Sequence, residues 1–150
     1  MKIAIGSDHR GYKAKRRLLP ILQSLGHEVF DAGAPSEDSV DYPDFAFPVA
    51  LAVSEGRAER GILICGTGIG MCIAANKVPG VRAALCGDPG TAAGARVWNH
   101  ANVICLSNRT LSGDMAKEIL AAWFDTPPGE RGADGVARLL EVERRHLRAP

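Results

Sequence analysis

The run "GILIC" (residues 61–65) ends on a thiol, and "GTGIG" (66–70) follows it at once. Glycine at 66, 68 and 70 leaves a row of bare amide N–H groups where a helix is about to begin. Such a nest binds an anion or a developing oxyanion, because its donors are unpaired and the helix dipole adds to them. A thiol at a helix N-terminus is favoured as the thiolate, so Cys65 has the chemistry of a nucleophile or a general base. Familiar loops of similar look do not fit. A Walker loop needs Lys and Ser/Thr after its last glycine, and here Met71 and Cys72 follow Gly70. The dinucleotide fingerprint puts its last glycine elsewhere, and a thiol phosphatase loop wants an arginine where Met71 stands. A thiol beside an oxyanion hole survives. The plainer alternative is that the glycines serve only tight strand–helix packing.

The elements that must position this loop alternate along the chain. Strands are predicted at 2–7, 27–31, 61–65, 80–86 and 102–107. Helices are predicted at 12–25, 44–55, from the glycine loop through about Lys77, at 89–97, 112–124 and 134–147. Repeated β-α alternation predicts a parallel sheet with helices on both faces. The third strand is hydrophobic without a break, which predicts burial on both faces. The break at 125–132, "DTPPGERG", either frees the last helix to pack on another subunit or makes an ordinary corner.

In an open parallel sheet the site lies beyond the carboxyl ends of the strands. Those ends carry Ser7, Asp8, His9 and Arg10; then Cys65, Gly66, Thr67 and Gly68; then Ser107, Asn108 and Arg109. A base, an oxyanion hole and cations at a distance describe proton abstraction beside the carbonyl of an anionic substrate, which is enediolate chemistry. Asp8 has a second reading as a cap of the helix after it. Asp41 and Tyr42, before Pro43, read as caps of the next helix rather than as catalytic groups. Arg109 suits a phosphate, and Arg144, Arg145 and Arg148 read as a solvated face.

Composition narrows the classes. The 150 residues fit one domain, spanning 1–150. Lys and Arg total 18 against 17 Asp and Glu, so no nucleic-acid or membrane surface is expected. No apolar stretch approaches the ~20 residues of a bilayer span. The opening "MKIAIGSDHRG" meets charge too early for a signal peptide. Cys65, Cys72, Cys86 and Cys105 show no C-x-x-C spacing, and no His pair has metal-ligand spacing, so no metal site is expected. Cys86 and Cys105 read as small buried hydrophobes, and a reduced, cytoplasmic protein follows.

The segments "IGSDHRGY", "VDYPDFA", "GILICGTGIGMCIAANKVPGVRAALC" and "NHANV" together resemble the type B ribose-5-phosphate isomerases and the related galactose-6-phosphate isomerase subunits, over about residues 1–147. The resemblance implies a Rossmann-like three-layer α/β/α sandwich with a five-stranded sheet. It implies a homodimer or a dimer of dimers with sites shared between subunits, the C-terminal helix packed on the partner, and no cofactor. It implies aldose–ketose isomerisation of a sugar phosphate through a cis-enediolate. Carried over by position, Cys65 moves the proton between carbons 2 and 1. Thr67 and the amides of Gly66, Gly68 and Gly70 bind the oxygens, and Asn99 helps to stabilise the enediolate. Asp8 contacts sugar hydroxyls and assists ring opening, while His9, Arg109 and Arg131 match phosphate-binding positions.

Two positions depart from that pattern. The family's "HND" reads "WNH" at 98–100, so Trp98 replaces the ring-opening histidine and His100 stands two residues on. The family's "GRH-x-x-R" reads "ERGADG" at 130–135, keeping Arg131 but placing Gly132 and Gly135 where a histidine and an arginine are usual. Arg138 is the nearest replacement. A four-carbon sugar phosphorylated on its last oxygen cannot close a furanose ring and needs no opening. Ribose 5-phosphate is therefore the first expectation and a tetrose or tetrulose 4-phosphate the second. A sugar-phosphate-binding protein without turnover is the rival of another class, and a thiol-dependent hydrolase a further one.

Overall fold

The computed structural model describes residues 1–147. Five parallel strands form one sheet: β1 (Lys2–Ser7), β2 (Glu28–Asp31), β3 (Arg60–Cys65), β4 (Ala83–Leu85) and β5 (Val103–Ser107). Their spatial order is β2-β1-β3-β5-β4. The helices are α1 (Tyr12–Ser24), α2 (Pro43–Ser54), α3 (Ile69–Ala75), α4 (Pro89–Asn99), α5 (Gly113–Asp125) and α6 (Ala133–His146), with a 3-10 turn at Glu130–Gly132. The predicted α/β sandwich is thus present, and the alternation of side chains along each strand explains its three layers.

One face of the sheet presents Ile3, Ile5, Ile62, Ile64, Ile104 and Leu106 to Leu18 and Leu22 of α1, Ala92 of α4, and Ile119 and Trp123 of α5. The other presents Ala4, Leu63, Cys65, Val103 and Cys105 to Val49 and Ala50 of α2 and to Met71 and Ala75 of α3. Central β3 and β5 are buried on both sides, as their unbroken hydrophobicity requires. Cys65 therefore faces the α2–α3 layer.

The fourth strand is shorter than expected. Over residues 80–82 the backbone is satisfied by side chains instead of a full ladder. Asn102 accepts from the Arg82 amide at 2.8 Å and donates to the Gly80 carbonyl at 2.9 Å, and Glu143 accepts from the Gly80 amide at 2.7 Å. That last bond ties α6 to the β4 edge.

The break before α6 is held down within this chain. His100 closes α4 in the left-handed region (φ 49°), and its Nε2 bonds the Gly129 carbonyl at 2.7 Å. The Gly129 amide donates to the Val97 carbonyl at 3.2 Å. Gly132 fits against the carbonyls of Val97 and Trp98, where a Cβ would come within 2.5 Å of each. Helix α6 then packs on α4, burying Val136 but leaving Leu139 and Val142 more than half exposed. Arg144 and Arg145 are exposed as expected; Arg148 lies outside the described residues.

Lys15 of α1 is buried, and its Nζ donates to Asp31 Oδ1 at 2.8 Å and to the Ala34 carbonyl at 2.6 Å. Burying an ammonium is tolerable only with such partners. Replacing Asp31 by Ala leaves that charge half satisfied and is expected to cost about 2 to 3 kcal/mol, discounted because the carboxylate is partly solvated. Urea unfolding of Asp31→Ala measures it; a loss below about 1 kcal/mol would show the pair to be idle.

Candidate active site

Parallel register brings the carboxyl ends of three strands to one edge: Ser7 pairs with Ile64, and Cys65 with Ser107. The loops beyond are stitched together. Asn108 N–H donates to the Cys65 carbonyl at 2.9 Å, Ser107 Oγ to the Gly66 carbonyl at 2.9 Å, and Asp8 N–H to the Ile64 carbonyl at 3.2 Å. Asp8, His9, Cys65, Gly66, Thr67 and Gly70 line one cleft of about 290 Å³. Arg109 lies in the adjoining cleft of about 700 Å³, which His9 and Gly66 also border. The strand-end reading of the sequence thus converges.

Within the loop, Gly68 takes φ +79°, a region that costs a residue with a Cβ about 1–2 kcal/mol. A Cβ there would also meet Leu85 Cδ1 at 2.5 Å and the Leu106 backbone at 3.1 Å. This turn aims the Gly68 amide at Cys65 Sγ, 3.1 Å away. Thr67 Oγ1 accepts from the Ile69 amide at 3.2 Å. Gly70 leaves room for the Tyr42 ring, whose carbons would lie 3.0 Å from a Cβ. Cys65 as a whole is only 5% exposed, and it lines the cleft.

Asp8 serves as a local cap: its Oδ1 accepts from the Gly11 amide at 2.9 Å, which leaves Oδ2 over for another partner. His9 Nδ1 accepts from the Val40 amide at 3.2 Å, so Nε2 carries the proton and donates even in the neutral ring.

Two groups were underrated by sequence reasoning. Tyr42 begins α2 without any side-chain cap bond, and Asp41 caps nothing with its carboxylate; both line the Cys65 cleft. Their place in "VDYPDFA" was the available signal. Arg10, named only as a strand-end residue, borders both clefts.

Three expected site residues stand elsewhere in this chain. Trp98 and Asn99 end α4, just before β5, whose first residue pairs with Gly61 and Ala83 at the amino edge of the sheet. Cys65 is at the carboxyl edge. Arg131 sits in the 3-10 turn beside Gly132, against the same end of α4. Trp98 is 52% exposed, and Asn99 borders a groove of about 470 Å³ with Leu139, Leu140 and Val142. His100 cannot replace the missing histidine from the same chain, since its Nε2 is engaged at Gly129 on that far edge. Among the described residues no three His, Cys, Asp or Glu side chains gather as metal ligands.

All four thiols are free. Cys86 is pushed up to about 11, by burial first and then by Asp88. Cys105 is pushed well up by its hydrogen bond with Cys72 and by full burial. Half-buried Cys72 is drawn down to about 7, first by that bond with Cys105, with help from the Leu85 backbone and Asn76 against the cost of burial.

The comparisons with known proteins agree with this geometry. Residues 3–139 match the profile of the Ribose/Galactose Isomerase family. The chain is 41% identical over 145 residues to ribose-5-phosphate isomerase B of Escherichia coli strain K12, covering 96% of this chain and 97% of that one. It is 46% identical over 126 residues to the D-erythrulose-4-phosphate isomerase of Pectobacterium atrosepticum, covering 83% of each. Its structure matches ribose-5-phosphate isomerase B of Clostridium thermocellum with a TM-score of 0.95 at 46% identity, covering 97% of this chain and 99% of that one. The chain belongs to the ribose/galactose isomerase family. It is an aldose–ketose isomerase.

Thiol reagents alone will not single out Cys65. In a Cys65→Ser variant, iodoacetamide is expected to label Cys72, with a half-maximal rate near pH 7 that rises with pH as thiolate forms. Peptide mapping across pH checks this, and a midpoint near the ordinary thiol value would contradict it.

Proposed function

We propose that the protein interconverts ribose 5-phosphate and ribulose 5-phosphate through a cis-enediolate. The observation that carries this is a sulfur at the floor of a cleft, held at 3.1 Å by the Gly68 amide and edged by a glycine loop. Ionised Cys65 removes the proton from carbon 2 of the open aldose and returns it to carbon 1, while the hydroxyl proton on oxygen 2 of the cis-enediolate passes to the neighbouring oxygen 1. As the C–H bond breaks, negative charge moves onto the carbonyl oxygen, where Thr67 and the amides of Gly66, Gly68 and Gly70 stabilise it. Asp8 Oδ2 receives sugar hydroxyls. The phosphate lies toward His9 Nε2–H and Arg109.

Asn99, Trp98 and Arg131 join this site from a second copy of the chain. Asn99 opens onto the apolar groove beneath α6, where Leu139 and Val142 are exposed. At the active edge, α3 leaves Ile69 and Ile73 more than half exposed beside the cleft. A homodimer covering both surfaces buries these apolar faces and completes the site. A dimer of dimers repeats that unit.

A second reading, a tetrulose 4-phosphate as substrate, is favoured by Trp98 and by the 46% identity to the erythrulose-4-phosphate isomerase. An acyclic substrate needs no ring-opening imidazole, and His100 does not supply one. The ratio of kcat/KM for ribose 5-phosphate and erythrulose 4-phosphate decides: a higher value on the tetrulose assigns the shorter substrate.

In D2O the wild-type enzyme is expected to exchange solvent deuterium into the reacting carbons. Cys65→Ala should abolish exchange and lower kcat by roughly 10³-fold while sugar phosphate still binds. Binding without exchange in the wild type would instead mark a non-catalytic binding protein. A trapped covalent adduct in the wild type would mark thiol-dependent hydrolysis.

Shared sites have their own test. Inactive Cys65→Ala and Asn99→Ala chains, mixed and allowed to exchange subunits, should regain about a quarter of wild-type activity, since half the dimers carry one intact site of two. No recovery, with hybrids demonstrated by mass spectrometry, would show that Asn99 does not act across subunits.

A further inference from the structure

We infer that Arg10 is a phosphate-binding residue of this isomerase, supplied by the same chain as Cys65; the inference rests on the sugar-phosphate reading above. Among the described residues, only His9, Arg10 and Gly66 border both the Cys65 cleft and the Arg109 cleft. A substrate whose reacting carbons sit at Cys65, and whose anionic tail points to Arg109, must pass between them.

Gly66 shows that Arg10 occupies that passage. Its φ is not in the left-handed region, so the backbone does not demand glycine there. What a side chain at 66 would meet is Arg10: Cδ at 3.0 Å and Nη1 at 3.5 Å from the Cβ position. The absent side chain leaves room for the Arg10 side chain against the loop, on the border of both clefts.

The charge there is uncommitted. Among the described residues no carboxylate lies within ion-pairing distance of Arg10. The second cleft adds Lys13, Arg17 and Arg109 against a single carboxylate, Glu37, which Lys13 holds at 3.4 Å. A planar guanidinium with free N–H groups, in a cleft of net positive charge, takes a phosphate in bidentate fashion. His9 also borders both clefts, and its Nε2–H adds a second donor to the same passage.

Because Arg10 is exposed, Arg10→Gln is expected to keep the wild-type unfolding midpoint. It should raise KM for ribose 5-phosphate about tenfold or more, with kcat within about threefold. It should raise Ki for inorganic phosphate, as a competitive inhibitor, by a similar factor. Arg10→Lys, which keeps the charge but not the fork, should recover part of both. Unchanged KM and Ki would overturn the inference. So would a fall in kcat at constant KM, which would move Arg10 to the chemistry at Cys65. If the wild type turned over no phosphorylated aldose, the isomerase reading itself would fail. Calorimetry of inorganic phosphate on wild type and Arg10→Gln would still decide the role of Arg10.

Discussion

A single left-handed turn at Gly68 carries the site. It bends the chain after β3 sharply enough to direct an amide back at the sulfur of Cys65 while α3 begins immediately behind it. Any side chain there would strike Leu85 and the Leu106 backbone, so the loop would have to lift from the sheet edge. The sulfur would then lose its amide, and the glycine loop its fixed place at the sheet edge. Preorganisation of this kind works because the donors are fixed before charge develops and need not reorient as it does.

The rest of the loop is shaped by what stands over it. Gly70 accepts the ring of Tyr42, and Gly66 the side chain of Arg10. The three glycines thus have three reasons: a backbone region closed to other residues at 68, room for an aromatic wall at 70, and room for a cation at 66. Neighbouring strands hold this arrangement by backbone bonds from Asn108 and the hydroxyl of Ser107. The chemistry therefore rests on three strand ends at once, which gives a rigid edge on which small displacements are resisted.

The fold, and the meeting of Asp8, His9, Arg109 and the Cys65 loop at one edge of the sheet, were legible in the sequence. Hydrophobic alternation and glycine punctuation are local signals, and they located all five strands and six helices to within a few residues. Strand four was overextended, because nothing local reveals that Asn102 and Glu143 satisfy the backbone at 80–82 in place of a ladder. Tyr42 and Asp41 read as caps, because the packing of Tyr42 on Gly70 and the place of Asp41 on the cleft depend on how α2 lies across β3. The resemblance groups Trp98, Asn99 and Arg131 with Cys65 in a site shared between subunits; within one chain, α4 runs antiparallel to the strands and delivers its end to the other edge of the sheet. A linear motif does not show which edge it reaches until the crossovers are counted.

By itself the sequence determined the alternating β-α plan, the burial of β3 on both faces, and the union of a thiol with an amide nest, since each follows from neighbours along the chain. Tertiary structure decided the tautomer of His9, set by the Val40 amide; the path of Arg10 between two clefts; and the commitment of His100 to Gly129. Each of these joins groups about 30 residues or more apart, or sets a side chain against a backbone from another element. Such distances along the chain carry no periodic signal, and only packing of the sheet and its helices fixes them.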